Sequence, residues 1–394
     1  MPQPDTASSL PFTILNRTLA HKSVVTNDLL TTITLEEVRD YLKHLFEVQQ
    51  PTDHDRTLDQ LHVDLSAPPM TAFWLQSRDS LQDLSERRYL FTSVGASQLA
   101  SEVLPSRFFA GLKELKFMDT TGARLATMVW SKFASGRSEI PRKVRTIRVK
   151  LSSGEIRWVI RSVHSLDYAP YSNLQFVQDI LDNAEAYAKL PILQWWVTDN
   201  AMRIRFVGFD PALAAFANMA PELLMAEPVP MIEAWNSETG CRRTGLRGGM
   251  FSFRTMTGLG HWNENMEYNW IHRGSAERIR GGVKDAFQNL FTIAGGVVQA
   301  YKTATDIAID NAFAWMEKEL HRVVPEHVIQ TAQGALTDPR VTPGGSLASV
   351  IDAVTMAALT KDDPYDQYDI ERIAAGLLNK GLAEAVRSGG SIKV

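Results

Sequence analysis

His261, Glu264, Glu267 and His272 fall within one short stretch, HWNENMEYNWIH. Imidazole nitrogens and carboxylate oxygens are ligands for divalent cations. A metal held there would be placed to assist phosphodiester hydrolysis. The spacing matches no established ligand pattern, however, and Trp262, Tyr268 and Trp270 between the candidates read as packing residues. A metal-dependent nuclease is therefore the lesser reading. The other signatures of catalysis are missing. There is no phosphate loop of the form GxxxxGK[ST], no GxSxG elbow and no HExxH, and Gly258-Leu259-Gly260 lacks the strand–turn–helix context of a dinucleotide site. Cys241 is the single cysteine, which excludes an intramolecular disulfide and a cysteine-based zinc site. The expectation is a protein with no catalytic residues, no bound metal and no cofactor.

Arginine supplies the stronger signal. One basic run contains Arg137, Arg142, Lys143, Arg145, Arg148, Lys150, Arg157 and Arg161; a second contains Arg242, Arg243, Arg247, Arg254, Arg273, Arg278 and Arg280. Yet the chain of 394 residues carries a formal net charge of −4. Two acidic stretches balance the runs: Asp53, Asp55, Asp59 and Asp64 early, and Asp362, Asp363, Asp366, Asp369 and Glu371 late. A charge run is usually a solvated face. Three features point instead to phosphate. The charges alternate with apolar residues, arginine outnumbers lysine, and its planar fork suits phosphate geometry. Gly240, Gly245, Gly248 and Gly249 would let backbone approach beside Arg242, Arg243 and Arg247. Trp158, Phe251, Phe253 and Trp262 interleave with the charges, as stacking platforms do in single-strand binders. The candidate nucleic-acid-binding set is Arg142, Lys143, Arg145, Arg148, Lys150, Arg157, Arg161, Arg203, Arg205, Arg242, Arg243, Arg247, Arg254 and Arg273.

The elements that must position these residues are hairpins. Ile147, Val149 and Leu151 alternate with Arg148 and Lys150, a turn follows at Ser152-Ser153-Gly154, and alternation resumes from Ile156 to Arg161. This predicts Ile147, Val149, Trp158 and Ile160 on a core face, with Arg148, Lys150, Arg157 and Arg161 facing outward. WWVTDNAMRIRF predicts a second hairpin turning at Asp199-Asn200, with Met202, Ile204 and Phe206 inward and Arg203 and Arg205 outward. A third turns at Asn236 to Gly240. Thr34 to Gln49 reads as a helix opened by a Thr34/Glu37 capping box, and further helices are expected at about 172–189 and after Pro211. Residues 50–70 read as a polar linker. From Ser275 the period becomes helical, with Gly281-Gly282 and Gly295-Gly296 on one side, predicting a close neighbour or a kink. The fold class expected is α+β, antiparallel hairpins packed on helices and followed by a helical C-terminal part. Its domains would be an extended arm at 1–30, a helix and linker at 31–72, an α+β core at 73–273 and a helical region at 274–394. The N-terminus lacks signal-peptide character, and no stretch has the roughly 18 apolar residues of a membrane span. A cytoplasmic setting without membrane contact is the expectation.

HSLDYAPYSNLQFVQDIL, AWNSETG, FSFRTMTGLG and WIHRGSAERI follow one another in an order that resembles a family of phage- and plasmid-encoded proteins. That family is catalogued as a domain of unknown function, number nine-three-two, and the resemblance covers about residues 80–320. The family tends to place a Cys and an Asn-Gly just after the Arg of the third segment. Here Thr255-Met256-Thr257-Gly258 stands there, so no role tied to that Cys carries over. The resemblance implies a mobile-element protein inside a bacterial cell. Its strand–helix arrangement is similar to that of single-strand annealing recombinases, which line a basic groove with a hairpin and assemble as rings or filaments. The implied partners are single-stranded DNA, further copies of the chain, and a phage exonuclease or a host single-strand-binding protein. The expected function is ATP-independent binding and annealing of single-stranded DNA by a homo-oligomer. The alternative is a phage assembly or anti-defence protein whose Arg faces meet acidic surfaces.

Overall fold

Capping chemistry and alternation set the elements in chain order. β1 (Thr18–Ser23) precedes α1 (Leu35–Gln49). The expected capping box opens α1: the Glu37 amide donates to Thr34 Oγ1 at 3.3 Å and the Thr34 amide to Glu37 Oε2 at 2.7 Å. β2 (Thr52–Thr57), β3 (Leu61–Asp64), β4 (Thr71–Trp74), β5 (Arg88–Phe91) and α2 (Ser93–Val103) follow. The basic hairpin is β6 (Pro141–Lys150) and β7 (Ile156–His164), and α3 (Asn173–Asn183) follows it in the chain. The second is β8 (Ile192–Thr198) and β9 (Met202–Val207), and the third β10 (Val229–Asn236) and β11 (Thr244–Ser252). After β12 (Thr257–Gly260) and β13 (Tyr268–Trp270), the long helix α4 (Ala276–Thr305) begins. β14 (Ala308–Ile309), α5 (Ala312–Leu320), α6 (Glu326–Ala335), α7 (Leu347–Ala358), α8 (Pro364–Ser388) and β15 (Ser391–Ile392) complete the chain. The computed structural model describes residues 18–23, 33–58, 61–64, 71–74, 88–103, 124–125, 127–129, 131–132, 140–151, 153–183, 192–207, 227–263, 266–361 and 364–393. The helix expected after Pro211 and the end of the one expected at 172–189 lie outside them.

The fold is α+β. A seven-stranded antiparallel sheet runs β1-β8-β9-β10-β11-β12, with β13 also on β11. A six-stranded sheet runs β2-β6-β7-β5-β4-β3, antiparallel except for the β5–β7 pair. Residues 50–70 are therefore not simply a linker. β2 lies along β6 and sets Asp53 opposite Arg145 and Asp55 opposite Lys143. Polar alternation on both faces hides such a strand from a hydrophobic-pattern reading, while cross-strand charge pairs favour it.

One face of the seven-stranded sheet is the apolar one expected. Met202, Ile204, Phe206, Ile232, Ala234 and Leu246 pack there under α1, α3 and the first half of α4. The second half of α4 joins α5 to α8 in a separate core around Trp315, Leu347, Ile351 and Leu378. α4 runs unbroken through its glycines. A Cβ on Gly282 would come 2.1 Å from Trp270 Nε1, but Gly281, Gly295 and Gly296 face open space, so the close neighbour exists at one glycine only. The glycine that seats the helix is Gly248 in β11, whose Cβ would stand 2.5 Å from the Leu290 carbonyl oxygen. Gly248→Ala is expected to push α4 off the sheet and cost about 1–3 kcal/mol. A urea midpoint unchanged from wild type would contradict this. Among the described residues no helix is long and apolar enough to cross a membrane.

Candidate functional site

Alternation does separate Arg203 and Arg205 from Met202, Ile204 and Phe206, but the arginine face is not solvent-facing. The register sets Gln194 on β8, Arg205 on β9, Glu233 on β10 and Arg247 on β11 side by side, with Trp196, Arg203 and Trp235 in the adjacent row. α8 covers this face and brings Glu371 and Tyr368 onto it. Glu233 Oε1 accepts from Arg203 Nε and from Arg205 Nε at 3.0 Å, and Oε2 accepts from Arg247 Nε at 2.5 Å. Glu371 Oε2 accepts from Arg203 Nη2 at 2.5 Å and from Arg205 Nη2. Gln194 Oε1 accepts from Arg205 Nη1, and Glu267 Oε1 from Arg247 Nη1 at 3.4 Å. The side chains of Arg203, Arg205, Arg247, Glu233 and Glu371 are at most 1% exposed.

Three guanidinium groups thus meet the carboxylates of Glu233, Glu371 and Glu267, and charge balances. Only such pairing keeps ions in a dry interior. Although burial opposes ionisation, the three arginines hold the Glu233 carboxyl far below the usual range. The isolated Gly258 and Gly260 have their reason here. A Cβ would stand 2.8 Å from Arg205 Cζ at Gly258 and 2.4 Å from Arg247 Nε at Gly260. Arg203, Arg205 and Arg247 are accordingly withdrawn from the candidate binding set. Their partner Glu233 carries no signal as a lone glutamate in a strand, and Glu371, one of the late acidic stretch, carries none that points to these arginines. Of the late acidic stretch, Asp366, Asp369 and Glu371 lie on α8.

The basic hairpin needs a second correction. Lys150 pairs with Ile156, Arg148 with Trp158 and Val149 with Arg157, so residues of like parity share a face. Trp158 and Ile156 lie with Arg148 and Lys150, while Arg157 lies with Ile147, Val149 and Val159. The turn length set this register, and a slip of one residue exchanges every side chain between faces. Arg161 sits at the irregularity between Arg145 and Thr146 and is buried: it bonds Glu238 Oε2 and the Asp199 carbonyl, the latter at 2.5 Å. Arg145 is buried too, gripping Asp53 by two bonds of 2.7 and 2.9 Å. Arg142 pairs with Glu102, Lys143 donates to the Tyr168 carbonyl, and Arg254 pairs with Asp352 at 3.2 Å. Arg148 donates to Gln50 and lies 5.8 Å from the Trp158 ring centroid. Arg157 pairs with Glu155, and Lys150 is exposed. Of the two acidic stretches, Asp53 pairs with Arg145, Asp369 with Arg242 and Glu371 with Arg247, while other partners of the basic runs are carboxylates outside them, such as Glu102, Glu238 and Asp352.

Exposed cations do converge elsewhere. A cleft of about 550 Å³ opens between the β10–β11 turn, the segment leaving β13 and the first turns of α8. Arg242 and Arg243 enter it from the turn and Arg273 from the segment before α4, and all three are exposed. Gly240, at φ +65, makes the turn possible and lets the backbone pass against Tyr168 and His164. Arg242 reaches Asp369 at 3.5 Å and Arg273 reaches Asp167 at 3.3 Å. Surface pairs of this kind contribute only about 0–1 kcal/mol, so an incoming anion can compete for both arginines. Tyr368 forms the wall, with the buried ring of Trp235 5.3 Å beside it. Behind Tyr368 lies Arg247, 4.2 Å from the ring centroid. The buried ionic cluster is thus the scaffold of the cleft.

His164, Tyr168 and His272 stack beside it with centroids 3.7 and 5.3 Å apart. Burial, assisted by Arg145, lowers the His164 pKa to about 3, and burial lowers that of His272 to about 4. Both rings are neutral at neutral pH. His272 bonds Thr244 Oγ1, His261 the Asn263 amide, and Glu267 faces Arg247 and Tyr368. These members of the HWNENMEYNWIH stretch are dispersed to different partners, and Glu264 lies outside the described residues. Among the described residues no group of three or more His, Cys, Asp or Glu could hold a metal ion. No protein-family model, curated protein or solved structure is significantly similar to this chain.

Proposed function

We propose that the chain binds single-stranded nucleic acid and that the cleft of Arg242, Arg243 and Arg273 holds its backbone. The supporting observation is the convergence of these exposed arginines, from two separate loops, on one cleft with an aromatic wall. Arginine grips phosphate as a bidentate fork, and aromatic rings stack any base. Unstacked bases reach such a wall, whereas a duplex keeps its bases inside. Arg148 and Lys150, on one face of the β6–β7 hairpin, add a secondary cationic surface. On this reading the protein is a cytoplasmic component of a mobile element, acting as an ATP-independent homo-oligomer in strand annealing.

A second reading has its own support. So many arginines are satisfied by acidic residues of the same chain that much of the basic charge is accounted for by folding. That lowers the charge left for a nucleic acid, which leaves room for a phage assembly or anti-defence protein. One experiment separates the two: anisotropy of a labelled oligothymidylate titrated with protein, compared with a duplex of equal length. The nucleic-acid reading predicts tighter single-strand than duplex binding, and at least about tenfold weaker binding by R242A/R243A/R273A. Undetectable binding of both forms would favour the assembly reading, and equal binding of both would overturn the single-strand preference.

A further inference from the structure

We infer that the cleft is a one-nucleotide site, taking a phosphate on Arg242, Arg243 and Arg273 and a single nucleobase against Tyr368, with the buried Trp235 beside it. This rests on the nucleic-acid reading and goes beyond it, because it assigns a discrete pocket rather than a groove. At about 550 Å³ the cleft has the volume of a small-ligand pocket. Its polar groups are divided as a nucleotide's are. The cations come from the β10–β11 turn and from Arg273, while the aromatic wall belongs to α8.

The wall is rigid. Arg247 lies 4.2 Å from the Tyr368 centroid and Arg203 5.5 Å from it, and the Tyr368 hydroxyl donates to Glu267 at 2.9 Å. A ring so held is presented to a base with little entropy left to lose. Asn269 lines the same cleft with an exposed side chain. Its amide carries both donor and acceptor and is suited to read a base edge. His272 is not a phosphate ligand, since its ring nitrogens meet Thr244 Oγ1 at 2.9 Å and the Ala169 carbonyl at 3.3 Å. The ligand class is a nucleoside monophosphate unit, either free or at the end of a strand.

Competition against a labelled oligothymidylate tests this with the full-length protein. The competitors are AMP, CMP, adenosine, inorganic phosphate, and oligonucleotides carrying a 5′-phosphate or a 5′-hydroxyl. The inference predicts that a nucleoside monophosphate displaces the label at least about tenfold better than adenosine or phosphate alone. Arg243→Glu should abolish that displacement, and Asn269→Ala should change the ranking of AMP and CMP. Both residues are exposed, so folding is not at issue, and circular dichroism checks it. A 5′-phosphate preference assigns a strand end; equal oligonucleotide binding with mononucleotide displacement assigns a free nucleotide. If oligonucleotides bind but no mononucleotide displaces them at millimolar concentration, the one-nucleotide site is wrong and the nucleic-acid reading stands. If direct calorimetry detects mononucleotide binding but no oligonucleotide binds, the converse holds. If neither binds, both fail.

Discussion

Glu233→Ala is expected to remove about 3–5 kcal/mol of folding stability, a large part of the roughly 5–15 kcal/mol that holds an ordinary protein folded. Glu233 is the carboxylate shared by Arg203, Arg205 and Arg247. Without it, three buried guanidinium groups face Glu371 and the distant Glu267 oxygen, and uncompensated charge remains in a dry interior. The cost arises from stranding the cations, more than from losing the bonds. Arg247→Met in the Glu233→Ala background should therefore recover part of the loss, since it removes one stranded charge while keeping volume. Urea unfolding of the two single variants and the double variant gives the coupling directly. A loss below about 1 kcal/mol for Glu233→Ala, or simple additivity in the double variant, would show that the cluster does not carry the fold.

Acidification should weaken the fold well before carboxylates titrate. In the unfolded chain His164 and His272 take up protons near their ordinary 6.5, whereas folded His164 resists until about 3 and His272 until about 4. Between these values the unfolded state binds the extra protons. Stability is therefore complete above about pH 6.5 and falls as pH drops towards the folded pKa values. At about pH 5 the loss is about 2 kcal/mol for each histidine. His164→Gln should flatten the dependence by about half while leaving Arg145, Arg161 and Glu238 in place. Urea midpoints at about pH 7 and pH 5 measure the effect. A midpoint that does not move over this range would contradict the buried, neutral assignment.

These two expectations concern features that were unevenly legible in the sequence. The hairpins at 192–207 and 229–252, the capping box at Thr34 and the α+β class follow from local rules, because turn residues, caps and period two act over a few positions. The separation of Arg203 and Arg205 from the apolar face was equally readable. What covers that face was not. Glu371 comes from α8, far along the chain, and a strand with alternating arginines looks the same whether water or a helix lies above it. β2 was hidden for a related reason: TDHDRT has no apolar stripe, and its place in the sheet is set by Asp53 and Asp55 facing Arg145 and Lys143. The faces of the β6–β7 hairpin depended on whether Lys150 met Ile156 or its neighbour, which one residue of turn decides. Of the candidate site, Arg242, Arg243 and Arg273 were named but not gathered. Tyr368, Asn269 and Trp235 carry no pattern linking them to those arginines, since only the register of β10, β11 and β13 under α8 brings them together.

The central claim, that the exposed arginines meet a polyanion while the buried ones hold the fold, has one direct measurement. It is the salt dependence of oligothymidylate affinity, compared between the wild type and R242A/R243A/R273A. Each phosphate contact on a single strand contributes about 0.7 to the slope of log affinity against log salt. The expected result is a slope shallower by about 2 in the variant, with an unchanged urea midpoint. A variant that keeps the wild-type slope while still binding would place the phosphate contacts elsewhere on the molecule and contradict the assignment.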